Sequence, residues 1–86
     1  MPVLSRFYGI IIKMYFIQKE HNPPHIHVIY NEETFSITIQ TKEIIGGEQN
    51  PTKRVLGMVK EWIDLYEDKL LEMWETQDIY ELPPLK

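Results

Sequence analysis

The sequence predicts an α+β domain: a small antiparallel meander of three or four strands packed on one long or two consecutive C-terminal helices. Three observations carry this expectation. Phe35-Ser36-Ile37-Thr38-Ile39 alternates apolar and polar side chains, the period of a strand with one buried face. Asn50-Pro51 joins a favoured N-cap to a favoured first helical residue. Beyond it Val55, Val59, Trp62, Tyr66, Leu70 and Trp74 recur at helical spacing, supported by Met58, Ile63 and Met73. Short links between strands imply antiparallel neighbours, whose apolar side buries against the helix. With no repeat or linker, the 86 residues read as one domain. The sheet takes about 4–46, the helical part about 51–77 and an extended tail 78–86.

Residues 5–17 read as the first strand, because Phe7, Tyr8, the Ile10-Ile11-Ile12 run, Tyr15 and Phe16 favour extended structure. Placing Lys13 outward turns Ile10, Ile12, Met14 and Phe16 inward, with Ile11 and Tyr15 beside the lysine. Gly9 inside this strand marks a bulge or a close backbone approach. Residues 18–24 connect it to a second strand over 25–30, and Asn31-Glu32 forms a hairpin turn to the third. The third strand turns Phe35, Ile37 and Ile39 to one side and Thr34, Ser36, Thr38 and Gln40 to the other. Residues 42–45 add a short fourth strand that Gly46-Gly47 ends. The helical period runs over 52–77, with a break into two helices near 64–68 as the alternative. The tail holds Pro83-Pro84 and packs through Ile79, Tyr80 and Leu82.

A hydrophobic share of 43% allows a thin core, and no cysteine is present to staple it or to supply a thiolate zinc site. The apolar run over 7–17 lacks a cleavage site, contains Lys13 and is shorter than the ~20 residues that span a bilayer. A soluble cytoplasmic protein without membrane contact is expected. The net charge of −4 is unevenly spread. Residues 1–31 carry three bases against Glu20 alone, whereas the remainder carries six bases and twelve acids. Such a balance excludes strong non-specific binding of nucleic acid by the whole surface, but not a local contact on the N-terminal half.

His21, His25 and His27 are the only histidines, and they fall within seven residues. Pro23 and Pro24 lack N–H groups and fix φ, so residues 22–24 make a stiff, non-helical lead-in. Alternation puts His25 and His27 on one strand face, about 6–7 Å apart. Lys13, Tyr15, Ser36 and Thr38 are expected to join them on the face that the core does not claim. The chemistry remains open at this level. An imidazole titrating near ~6.5 suits general acid–base work. Two histidines in different protonation states could cleave RNA through its own 2′-hydroxyl, with Arg6 or Lys13 against the developing charge. The catalytic candidates are therefore His21, His25, His27, Arg6 and Tyr15. The alternative is ligation of a divalent transition metal such as zinc by His21, His25 and His27. His-x-His is a common string, and Glu20 is the one nearby carboxylate, so no cofactor is expected. The plainest account is a polar sheet face with locally bonded histidines.

Candidate substrate- or partner-binding residues are Tyr8, Lys13, Asn22, Ser36, Thr38, Lys53 and Arg54. Lys53 and Arg54 open the helix, where free N–H groups near Gly46-Gly47 could hold an anion; two solvated side chains are the plainer account. Trp62 and Trp74 read as core or interface anchors. The acidic helix surface (Glu61, Asp64, Glu67, Asp68, Glu72, Glu75) is a solvated face or meets a basic partner. His25-Ile26-His27-Val28 is shared with the histidine-triad nucleotide hydrolases. Their pattern continues with histidine where this chain has Ile29, so that assignment is rejected.

Ser5-Arg6-Phe7-Tyr8-Gly9-Ile10-Ile11-Ile12, then Met14-Tyr15 and the run from His21 to Val28, resemble the domain of unknown function 4160 family, as do Glu61-Trp62 and residues 70–74. Arg6, Tyr8, His21, Asn22, Pro23, Pro24, His25 and His27 match its motif. The resemblance implies a small cytoplasmic bacterial protein encoded beside a second small protein, an arrangement that suggests a toxin–antitoxin pair with this family as the toxin. The expected function is thus a toxin-like component, with histidine-dependent ribonuclease activity as its enzymatic form. A non-enzymatic, antitoxin-like binding or regulatory module is the alternative. Expected partners are the neighbour-encoded protein, RNA and a second copy of the chain.

Overall fold

A computed structural model of the protein describes residues 2–15 and 23–86. Five strands follow one another, β1 (Val3–Phe7), β2 (Ile10–Lys13), β3 (His25–Tyr30), β4 (Glu33–Thr38) and β5 (Ile44–Gly47), then one helix, α1 (Lys53–Thr76). They form a single sheet in the order β1-β2-β3-β4-β5 with every neighbour antiparallel. The α+β meander stands, but with five strands rather than three or four.

The extra strand comes from a hairpin inside the predicted first strand. Tyr8 (φ 50°) and Gly9 (φ 81°) both adopt left-handed backbone, and Phe7 pairs with Ile10 across them. Two successive positive φ values match the right-handed twist of the strands they join. Tyrosine seldom takes that conformation, which is why the turn is hidden in the sequence. Gly9 therefore ends a strand rather than marking a bulge within one. The Asn31-Glu32 turn lies where predicted, with Asn31 at φ 52° and Tyr30 paired to Glu33. Residues 16–22, including Phe16, His21 and Asn22, lie outside the described residues.

β5 is displaced toward its glycines and includes them. A Cβ on Gly47 (φ 79°) would sit 2.2 Å from the Thr34 carbonyl oxygen, so only glycine lets β5 approach β4 there. The inward residues Ile10, Ile12, Met14, Ile26, Val28, Phe35, Ile37 and Ile39 are buried as their parity predicts. They meet Val55, Val59, Trp62, Ile63, Leu70, Met73 and Trp74 of α1 in one core.

The helix starts later than Asn50-Pro51 predicts. Thr52 is the N-cap residue, yet its side chain does not cap the helix. Its N–H and hydroxyl instead donate to the Glu33 carboxylate at 2.9 and 2.7 Å, fastening the helix entry to the start of β4. α1 is one continuous element with a kink at Tyr66 (φ −123°, ψ 20°), inside the segment where a break was the alternative. Lys42 straddles the kink, 2.8 Å from Asp64 and 3.4 Å from Glu67. The hydrogen bond to Asp64 leads in holding the Lys42 ammonium above its ordinary pKa. Beyond Gln77 the tail returns along β1, where Leu82 N–H donates to the Leu4 carbonyl at 2.7 Å. Trp62 Nε1–H reaches the Pro83 carbonyl at 2.9 Å, and Leu82 and Leu85 are buried. Tyr80, expected to pack, is exposed; Ile79 is half-buried.

Two consequences are measurable. The buried Ser5 hydroxyl has no hydrogen-bond partner among the described residues. Ser5→Ala removes an unsatisfied polar group at little loss of packing, so the urea midpoint should rise by the equivalent of about 1 kcal/mol. Glu33 titrates below its ordinary 4.5, chiefly because the Thr52 N–H and then its hydroxyl bond to the carboxylate. A depressed folded-state pKa gives stability that is present above 4.5 and lost as pH falls through the folded value. Glu33→Gln should therefore be less stable than the parent at pH 7. That gap should close as denaturant midpoints are followed below pH 4.5.

Candidate functional site

Cross-strand pairing builds the sheet face opposite the core from two rows. Lys13, His27 and Ser36 lie side by side in one; Arg6, Ile11, Ile29 and Thr34 lie in the next. Ile11, Lys13, His27, Ile29 and Ser36 are half-buried, while Arg6 and Thr34 are exposed. No residue of these rows is acidic. The acids of α1 lie in the other layer, so a basic face persists on an acidic chain.

His27 is fixed from two sides. Tyr15 meets its ring edge-on at 4.2 Å between centroids, and Ser36 Oγ lies 3.1 Å from its Nδ1. The His25 ring is 5.2 Å from that of His27, so the strand does bring the two imidazoles together. Their environments differ, however. His25 is only 6% exposed, because Trp74 packs 5.1 Å from its ring. Its Nδ1 lies 2.8 Å from the Pro23 carbonyl. A carbonyl can only accept, so that contact assigns a proton to Nδ1, which in the neutral ring makes Nε2 the acceptor nitrogen. The prolines thus help orient the histidine, but the expectation that the open face offers it to solvent is wrong.

Thr38 is likewise not an exposed contact position. It is 5% exposed, bonded to the Thr41 hydroxyl, and it accepts the Glu43 N–H at 2.9 Å. Its hydroxyl shapes the turn between β4 and β5. Tyr8 stands out from the β1–β2 hairpin, 55% exposed. Lys53 and Arg54 are exposed in the first turn of α1, whose opposite half carries the Trp74 that meets His25. The face thus gathers Tyr15, His25, His27, Lys13 and Ser36, with Arg6 one row away. His21 and Asn22 lie outside the described residues.

Sequence reasoning missed Trp74 as the cover of His25, since helical spacing placed it in the core without saying what it would meet. It placed Ile11 beside Lys13 but did not pair it with Ile29 as the apolar centre of the face, although Ile29 shares the parity of His27. Among the described residues, no three His, Asp or Glu side chains converge as a metal group, and no helix is long and apolar enough to cross a membrane. His21, the third histidine of the alternative metal set, lies outside the described residues. Chemically, the arrangement offers a half-buried imidazole beside a phenol, a hydroxyl and an ammonium, with a second imidazole behind it.

The burial difference predicts a reactivity difference. Diethyl pyrocarbonate, followed by peptide mass mapping, should modify His27 several-fold faster than His25. Trp74→Leu, which keeps an apolar side chain but removes the indole, should narrow that gap by uncovering His25.

A family model described as Domain of unknown function (DUF4160) matches residues 9–75, more than three quarters of the chain. No curated protein and no solved structure matches it.

Proposed function

This chain belongs to the DUF4160 family, and from that premise we propose that it is a contact-making component of a bacterial toxin–antitoxin pair whose working surface is the open sheet face. One observation carries the proposal: Ile11 and Ile29 form a half-buried apolar centre beside Arg6, Lys13, Thr34 and Ser36, with no carboxylate in either row. An apolar centre with a polar rim is the anatomy of a specific protein contact. The basic rim favours an oppositely charged partner and excludes like-charged ones. The pairing with a small neighbour-encoded protein, and a cytoplasmic setting, come from the family resemblance.

A histidine-dependent ribonuclease is the second reading, favoured by the 5.2 Å approach of His25 and His27 and the assigned tautomer of His25. In that case His27, being more accessible, would meet the substrate, with Tyr15, Lys13 and Arg6 beside it. The cover of Trp74 over His25 weighs against a two-histidine centre open to a polymer, and supports the contact reading.

The test expresses the chain alone and together with its genomic neighbour in a bacterial host. Growth arrest by the chain alone, relief by the neighbour and stoichiometric co-purification are expected. Arg6→Glu with Lys13→Glu should weaken the complex by at least about tenfold, equivalent to about 1.4 kcal/mol, at unchanged circular dichroism. A complex indifferent to the reversed face sinks the contact proposal. Arrest relieved by His27→Ala, with a bell-shaped pH–rate profile on RNA, would establish the ribonuclease instead.

A further inference from the structure

The two edges of the sheet are finished differently. The outer side of β1 is met by the tail through the Leu82–Leu4 bond. Among the described residues, no backbone group bonds the outer side of β5. Glu48 N–H donates inward to the Thr34 carbonyl at 2.9 Å, so alternation turns Gly47 outward. The outward Gly47 carbonyl is met by the exposed Gln49 side-chain amide at 3.2 Å, a contact that water or a partner can replace. Ile45, the extra residue where the register with β4 shifts, is 47% exposed.

A cleft of about 270 Å³ opens at the β4–β5 turn end of the sheet and reaches the start of β5, with Pro23, Pro24, Ile44 and Ile45 as its apolar wall and Gln40 and Glu43 on its polar side. Its chemistry suits a long basic side chain, whose alkyl stem lies along proline and isoleucine while the charged head reaches the carboxylate. Exposed Glu43 and Glu48 flank β5 at its two ends, the latter carboxylate accepting Asn50 N–H at 3.1 Å.

The glutamates also decide between a second copy and another protein. Antiparallel self-pairing that joins all of β5 would set Glu43 opposite Glu48 of the other copy at both ends. Like charges directly opposite one another destabilise a strand pair. Short length, a bulge and flanking charge are devices against self-association at an edge, yet they leave a strand of opposite charge unopposed. The geometry points to a second docking site, distinct from the open sheet face: the β5 edge takes an extended basic segment of another protein as a sixth strand, with one lysine or arginine side chain in the cleft beside Glu43. Recognition is by backbone pairing for affinity and by the cleft for specificity.

The test titrates the ¹⁵N-labelled full chain with an eight-residue peptide alternating arginine with valine and threonine. Its glutamate counterpart and a backbone N-methylated version are the controls. Amide shifts should centre on Ile45, Gly46 and Gly47 and on the Gln40 side chain. The arginine peptide should bind about five- to tenfold more tightly than the glutamate one, and N-methylation should abolish the shifts. Glu43→Lys with Glu48→Lys should reverse the preference, circular dichroism confirming that the variant is folded. Shifts confined to the open sheet face, equal binding of both peptides, no shift at millimolar peptide, or self-association of the chain through β5 would each overturn the proposal.

Discussion

One helix has to cover the whole buried side of a five-stranded sheet, and nearly everything else in this protein follows from that. A straight helix of 24 residues would run about 36 Å, longer than the 31 Å of the molecule's greatest extent. The chain resolves the mismatch by bending α1 at Tyr66, where Lys42 spans the two halves through Asp64 and Glu67. Neither exposed ion pair is worth much as stability. Their importance is positional, because they join the β4–β5 turn to the point where the helix changes direction. With no disulfide to help, α1 is fixed by polar contacts along its length. Thr52 is held by Glu33 at the N-terminal end, Gln77 closes the C-terminal end on the Met73 carbonyl, and the returning tail holds the indole of Trp62 between them.

The bend also sets the character of the histidine pair. Leu70, Met73 and Trp74 belong to the second half of α1, and Trp74 arrives against His25 at the start of β3. Two residues that sequence parity makes equivalent thus become unlike. His25 is buried, with its Nδ1 proton directed at Pro23, whereas His27 is half-buried among Tyr15, Ser36 and Lys13. A difference in solvation between neighbouring imidazoles is a common means of giving them different chemical tasks. In a contact module the same difference leaves one histidine to hold the strand and the other to meet the partner.

Much of this was legible in the residues. Strict alternation in β4, the β-branched run of β3 and the Asn31-Glu32 turn fixed the central hairpin, and the 3.6-residue period fixed α1 almost to its ends. What escaped were cases in which a tertiary contact overrides a local preference. Tyr8 occupies a left-handed position that composition assigns to asparagine or glycine. Gly47 belongs to a strand because β4 lies too close for any side chain. Asn50 lost the capping position when Glu33 captured Thr52. The shared face of His25 and His27 could be read from their spacing, but the indole over one of them could not, since 49 residues separate it from His25.

The tail along β1 has a consequence for how the protein is made. Leu82 bonds to Leu4, and Pro83 to Trp62, so the first strand is finished by residues translated long after it. Until they arrive, the nascent sheet presents both edges rather than one, and Leu4 lacks part of its enclosure. Closure across most of the chain's length is a late, high-contact-order event. Before this latch closes, the edge of β1 is open as well as that of β5, the stage at which chaperones, or a partner strand, would find this chain most receptive.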